Sequence, residues 1–416
     1  MNADAATMED GRRRAPESAA PPAPSILPLA GLRVIDLGQY IAGPGAAMTL
    51  AELGADVVKI EPLEGDQARH IGRYGQSMVR AYNRGKRSIA LNLKTDAGRD
   101  AALRLIDRAD VLVQNLRPGA AERLGLDAGT LRARRPRLIC LSIAGFARGG
   151  PSASRPGYDI AAQAESGLMS VTGEPDRPPQ KVGVPIIDAA AAQMGAQAVL
   201  AALLHRERTG IGTAIETSLF EVAMHLQAST WADYLGGAPE PTRRGDGQPH
   251  NAPAAEVVPT RDGHIVLSAY ADDHWRRLCR VLGREELASD ERFRTNEQRV
   301  AHRDALKAVL RDCLSAYTSE DCVAMLSRHG IVAGAVRSYA QVLRSEDLDA
   351  SGLLVDAFGA DGEHYRTLGL PYRFDAAPRP SLAAAPACGG DGDALLAEVG
   401  FDADAIAALR RAGSLA

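Results

Sequence analysis

The sequence predicts an α/β protein: a Rossmann-like large domain on a parallel sheet, followed by a smaller α+β domain. Three observations carry this. Up to Gly145, short apolar runs alternate with segments of helical length, the pattern of a sheet with helices on both faces. The first run, Leu32-Arg33-Val34-Ile35-Asp36-Leu37, passes through Gly38 into Ala42-Gly43-Pro44-Gly45, and proline suits the first turn of a helix. Later, 236–253 holds four glycines and four prolines, the strongest internal boundary in the chain.

Taken in order, the helix opened by Pro44 ends at Gly54, and Asp56-Val57-Val58-Lys59-Ile60-Glu61 forms the next strand. A strand–helix–strand unit of this length pairs its strands in parallel. The pattern continues with strand 87–93, helix 96–108, strand 110–115, helix 119–124 and strand 137–143. Beyond Gly145 the expectation is a loop to Gly157, one helix over 159–169 and a proline-rich loop over 173–183. A long helix over 188–208, a strand over 214–219 and a helix over 220–234 follow. The smaller unit has strands over 264–269 and 331–336 and helices over 274–282, 303–316 and 320–328. Residues 371–386 form an irregular return, and 394–411 supply terminal helices. The expected division is a disordered tail over 1–27, a large domain over 28–225, and a linker and small domain over 226–345. The return segment and C-terminal helices over 346–416 pack back on the large domain.

The 416 residues are 45% hydrophobic and 24% charged, enough to bury a core. Lys plus Arg is 48 and Asp plus Glu 52, so the net charge is 48 − 52 = −4. With aromatics at 4%, this excludes a general nucleic-acid binder and points to a small-molecule partner. Five cysteines without paired spacing suggest reduced thiols in the cytoplasm. The N-terminal stretch has no apolar run fit for a secretory signal. The apolar stretch 186–204 carries Asp188, Gln193 and Gln197, so no membrane span is expected.

Glycines between a strand and a helix, with Glu61 placed to meet a ribose, invite a dinucleotide reading. The spacing Gly38, Gly43, Gly45 is not G-x-G-x-x-G, and Pro44 removes an N–H where a pyrophosphate needs donors. A tight turn is the better reading. No pair of histidines has metal-ligand spacing, Asp272-Asp273-His274 reads as a helix start, and there is no serine elbow, so no metal is expected. Asp188, before a run of alanines, admits two readings. It caps the long helix, or it is a carboxylate kept ionised by the helix N-terminus, with small neighbours that admit a substrate to it as a nucleophile.

Several motifs in order resemble the class III coenzyme A transferases: Gly31-Leu32-Arg33-Val34-Ile35-Asp36-Leu37, Ala42-Gly43-Pro44, Leu53-Gly54-Ala55-Asp56-Val57-Val58-Lys59-Ile60-Glu61 and Asn83-Arg84-Gly85-Lys86-Arg87-Ser88-Ile89. Ala109-Asp110-Val111-Leu112-Val113-Gln114-Asn115, Arg117-Pro118-Gly119, and Gly157-Tyr158-Asp159 followed by Gln163 and Ser166-Gly167-Leu168 extend the likeness. It runs from about residue 29 to 235 and more weakly to the end. The family includes formyl-CoA, carnitine and succinyl-CoA:dicarboxylate transferases and the 2-methylacyl-CoA racemases.

The resemblance implies that Asp188 is the catalytic nucleophile and that Gln39, Ala42, Leu91, Lys94, Asn115, Leu116 and Arg123 lie near coenzyme A. Lys94 and Arg123 suit phosphates. Tyr158 and Asp159 are expected beside the substrate, Asp159 as an orienting residue. Gly236 and Gly237, with Gly245 and Gly247, either shield the site or form a plain linker. Family transferases often carry glutamine where this chain has Ile41, so the polar role passes to Gln39 or the acyl pocket differs. Racemases place histidine where Tyr158 stands, and tyrosine is a poor proton shuttle at neutral pH, so transfer is preferred over racemisation. A CoA-binding protein without activity is the remaining alternative. Within the family the likeness is nearest the succinyl-CoA:dicarboxylate transferases, with Arg243 and Arg244 as candidates for a second carboxylate. The partners implied are an acyl-CoA, a carboxylic acid and a second copy of the chain in an interlocked homodimer, with no cofactor beyond coenzyme A as substrate.

Overall fold

The computed structural model describes residues 27–360, 362–374 and 382–416; the expected tail, apart from Leu27, lies outside them. Six strands form the main sheet: β1 Arg33–Asp36, β2 Asp56–Glu61, β3 Lys86–Ala90, β4 Val111–Gln114, β5 Ile139–Ala144 and β6 Ala214–Ser218. Their spatial order is β3-β2-β1-β4-β5-β6 and every pairing is parallel. The order reverses between β1 and β4, and in such sheets the crevice outside the carboxyl ends of those two strands is where ligands bind.

Both faces are covered because successive side chains alternate across a strand. Val34, Val57, Val111 and Leu141 face one way, against the helices Ala42–Glu52 and Ile186–Thr209. Ile35, Val58, Leu112 and Cys140 face the other, against the helix Asp96–Ile106 and the terminal helices Gly392–Glu398 and Ala403–Arg411. The helix Ile186–Thr209 is long and apolar enough to cross a membrane. Here Ile187, Ala191, Val199 and Leu203 are buried in the domain core instead.

A separate core around Trp275, Phe293, Leu306, Leu310 and Leu326 belongs to the smaller unit. Its antiparallel sheet joins β7 Glu256–Pro259, β8 His264–Ser268 and β9 Val332–Ala335 in that order. The chain returns through a hairpin of β10 Leu354–Phe358 and β11 His364–Leu368, with the short β12 Leu382–Ala383 parallel to β10. This segment is tied to the large domain: the Gly85 N–H donates to the Ala383 carbonyl at 2.9 Å and the Leu370 N–H to Glu52 at 3.1 Å.

Four expectations need correction. The helix expected over 159–169 stops at Glu165 and restarts at Leu168, because Gly167 takes φ 90°, which helical residues cannot. The helix over 220–234 divides at Gln227, whose side chain donates to Ala223 and Ser166 carbonyls. The long helix begins at Ile186, so Asp188 sits in its first turn and is not its cap. Finally, the helix Gly72–Tyr82, strand β7 and the β10–β11 hairpin had not been expected.

Candidate active site

Two connected clefts open at the switch between β1 and β4. The first, about 310 Å³, is lined by Gln39, Ile41, Ala42, Asn115, Leu116, Arg117, Arg123, Tyr158 and Asp188 among others. The second, about 490 Å³, is lined by Gln39, Leu91, Lys94, Leu116 and Arg123 among others. Every residue assigned to coenzyme A from the sequence therefore lines one or both of these clefts, which share Gln39, Leu116 and Arg123. Lys94, Arg117 and Arg123 have no carboxylate partner among the described residues, which leaves three cations for an anionic ligand. In the sequence Arg117 stands only within the motif Arg117-Pro118-Gly119, which gives it no role.

The loop after β1 is fixed from three sides. The Gln39 N–H donates to Asn115 Oδ1 at 2.8 Å, and Asn115 Nδ2 donates to the Gln39 carbonyl at 2.9 Å. Gly38 and Gly43 lie so close that a Cβ on Gly43 would stand 3.1 Å from Gly38 Cα and 3.3 Å from Asn115 Cγ. Glycine is needed for that approach. Beneath the loop Lys86 Nζ reaches Asp36 Oδ2 at 2.7 Å and the Pro44 carbonyl at 2.8 Å. Lys59 Nζ reaches the Gly38 carbonyl at 2.6 Å and Asp66 at 2.9 Å. Glu61 is no ribose ligand: Arg69 grips both its oxygens at 2.7 and 2.8 Å, and Ser88 donates at 2.6 Å.

Asp188 stands differently. The Ile186 N–H donates to the Val184 carbonyl at 2.8 Å, and the Ile187 and Asp188 N–H groups donate to Asp159 Oδ2 at 2.7 and 3.1 Å. Asp159, buried and also held by Gln163, is thus a cap supplied from another helix. The free donors of the helix start are all used, and none reaches the Asp188 carboxyl. Burial, with the nearby Asp159 charge second, pushes that carboxyl up to about 7. The expectation of a carboxylate kept ionised by the helix N-terminus is therefore overturned: Asp159 takes the N–H groups that would have done it.

Tyr158 is half exposed at the cleft, its ring edge-on to Tyr40 with centroids 5.6 Å apart. Gly236 ends the helix Ala228–Leu235, and neither it nor Gly237 lines either cleft. Arg243 donates to the carbonyls of Glu174 and Pro175, and neither it nor Arg244 lines the clefts. Among the described residues no three His, Cys, Asp or Glu side chains are grouped to hold a metal.

The family model described as CoA-transferase family III matches residues 29–392. The chain belongs to CoA-transferase family III. It is 38% identical over 346 residues to the succinate–glutarate CoA-transferase of Agrobacterium fabrum, covering 80% of this chain and 86% of that one. It is 37% identical over 352 residues to the succinyl-CoA:mesaconate CoA-transferase of Haloarcula marismortui, again covering 80% and 86%. A crystal structure of a CAIB/BAIF family protein from Brucella suis superposes with a TM-score of 0.80 at 37% identity, covering 90% of this chain and all of that one. The protein is accordingly a CoA-transferase, and a CoA thioester is a substrate.

Proposed function

We propose that this transferase moves coenzyme A from succinyl-CoA to a dicarboxylic acid, with Asp188 as the nucleophile. The observation that carries the reading is the Asp188 carboxyl at the wall of the first cleft, without cation or hydrogen-bond donor among the described residues. Unsatisfied, it is a stronger nucleophile than a paired carboxylate. Its oxygen attacks the donor thioester carbonyl, the carbon–sulfur bond breaks, and the CoA thiolate leaves with the electron pair. The thiolate then attacks the aspartyl carbonyl of the mixed anhydride, releasing the donor acid and leaving an aspartyl-CoA thioester. The acceptor carboxylate reverses both steps. Exchange between similar thioesters needs neither ATP nor a metal.

Lys94 and Arg123 meet the phosphates, Arg117 borders the same groove, and Gln39, Ala42, Leu91, Asn115 and Leu116 cradle the rest of coenzyme A. Asp159 orients the nucleophile; its own oxygens are engaged by Gln163 and two N–H groups, which disfavours a role as base. Tyr158 and Tyr40 border the acyl side. The names of the relatives support a dicarboxylate as acceptor. The chain works as an interlocked homodimer in the cytoplasm, a reading supported by apolar side chains left open on a single copy. Leu235 is 78% exposed, Val332 67% and Tyr339 88%. Residues 236–247 join the two units as a linker.

The test is to incubate the enzyme with succinyl-CoA, add hydroxylamine and map the peptides by mass. Asp188 is expected as the hydroxamate and Asp159 unmodified. Label on Asp159, or on no carboxylate, overturns the assignment. A screen of donor thioesters against dicarboxylic acids then defines the pair.

A further inference from the structure

Gln163 is buried one helical turn after Asp159, where side chains on one face meet, and it lines neither cleft. Both ends of its side-chain amide are used. The Val182 N–H donates to Gln163 Oε1 at 2.9 Å, and Gln163 Nε2 donates to Asp159 Oδ1. A backbone N–H can only donate, so Val182 fixes which way round the amide lies: oxygen towards Val182, NH2 towards Asp159. Val182 itself ends a loop that is closed at its neck, where the Gln180 N–H donates to the Thr172 carbonyl at 3.3 Å. The linker to the smaller unit grips the same loop. The Gly245 N–H donates to the Gly173 carbonyl at 3.0 Å, and Arg243 donates to the Glu174 and Pro175 carbonyls. The other oxygen of Asp159 accepts from the Ile187 and Asp188 N–H groups at 2.7 and 3.1 Å. A chain of hydrogen bonds therefore runs from the closed loop through Gln163 and Asp159 to the backbone of Asp188.

We propose that Gln163 is a positioning residue for the transfer reaction, acting through Asp159; the inference rests on Asp188 as the nucleophile. A carboxylate held on one oxygen alone can turn about its Cβ–Cγ bond, and one held on both oxygens cannot. By occupying Oδ1, Gln163 keeps Oδ2 on the two N–H groups, and the first turn of the long helix keeps Asp188 at the wall of the first cleft. The residue type matters as well. A neutral amide satisfies Asp159 without bringing in a positive charge, whereas Lys or Arg at this position would compensate Asp188 too. Attack on a thioester needs the oxygen about 3–3.5 Å from the carbonyl carbon, and a displacement of about 1 Å slows such a step severely.

Wild type, Gln163→Leu, Asp159→Asn and the double variant are mixed with succinyl-CoA, quenched at intervals and analysed for acyl or CoA groups on the Asp188 peptide. Leucine fills nearly the same space and makes neither bond. In Gln163→Leu the rate of Asp188 modification is expected to fall about ten-fold, while the affinity for free coenzyme A stays unchanged because Gln163 lies outside both clefts. In the Asp159→Asn background the same substitution should slow the step by less than about two-fold, because the group through which Gln163 acts is gone. A Gln163 that only supports the fold would cost the same factor in both backgrounds, and that result overturns the proposal. A Gln163→Leu rate equal to wild type overturns it as well. Should Gln163→Leu not fold, Gln163→Glu replaces it: at pH 8 its carboxylate still accepts from Val182 but cannot donate to Asp159, and the same two comparisons decide. An unmodified Asp188 in the wild type overturns the nucleophile assignment and this proposal with it.

Discussion

Two groups of acids lie near the clefts, one fully buried and one partly so, and they are treated in opposite ways. Beneath the Gly38–Tyr40 loop, Asp36, Glu61 and Asp66 are paired with Lys86, Arg69 and Lys59. Burial pushes the Glu61 carboxyl up, but the Arg69 hydrogen bonds, the Lys59 charge and Ser88 outweigh it and hold it at about 2. At the start of the long helix, Asp188 and Asp159 stand together with no cation between them among the described residues. Asp159 is compensated by N–H groups, and Asp188 by none of the described residues. The difference separates acids that hold the loop from the acid proposed as nucleophile, since perturbed, unpaired carboxyls cluster at functional sites.

That contrast can be broken by experiment. Asp188→Ala is expected to reduce transfer to background while circular dichroism and coenzyme A binding stay native, because Asp159, not Asp188, caps the helix. Appreciable turnover by this variant would place the chemistry elsewhere. Lys86→Met leaves Asp36 buried without its closest partner and is expected to cost about 3–5 kcal/mol in urea unfolding. A cost below about 1 kcal/mol would show that the lower cluster is not held by its pairing.

Asp188→Asn should act in the reverse direction on stability. The folded-state value of Asp188, about 7, lies above the ordinary 3.8. Below pH 3.8 the carboxyl is protonated whether folded or not, so variant and wild type should then unfold alike. Between pH 3.8 and about 7 the unfolded carboxyl ionises while the folded one stays protonated, so the wild type loses stability as pH rises. Above that pH, and discounted for partial exposure, the variant is expected to be about 1–3 kcal/mol more stable. Equal stability at pH 8 would mean that the carboxylate is compensated after all. The smallest effect is expected at the groove: Lys94→Ala should weaken coenzyme A binding by about 1 kcal/mol, a loss that shrinks at high salt. Titration calorimetry at two salt concentrations checks it.

Much of this was legible in the sequence. The strands β1, β2, β4 and β5 are apolar runs too distinct to miss, whereas Gln39 and Asn115 come from the family resemblance and not from strand ends. What was hidden depends on distance along the chain or on weak patterning. Asp159 caps a helix that starts 27 residues later, so local capping rules assigned that task to Asp188. The helix Gly72–Tyr82 opens with Gly72 and contains Gly75, both poor helix formers. It forms because Met78 and Val79 bury against Ile41. Strand β11, His364–Leu368, is half solvated and polar, and has neither the apolar run nor the length of the sheet strands.

The unpaired state of Asp188 is tested most directly by kcat/KM for succinyl-CoA against pH, with the dicarboxylic acid that the screen identifies as acceptor, because that ratio reports the ionisation of the free enzyme. The expected profile rises from acid pH with a midpoint near 7, the value to which burial and Asp159 push the Asp188 carboxyl. In Asp159→Asn, where the neighbouring negative charge is gone, the midpoint should move to lower pH. A wild-type profile flat from about pH 5.5 to 8 would mean that Asp188 ionises like an ordinary carboxylate, and would contradict the assignment of an uncompensated nucleophile.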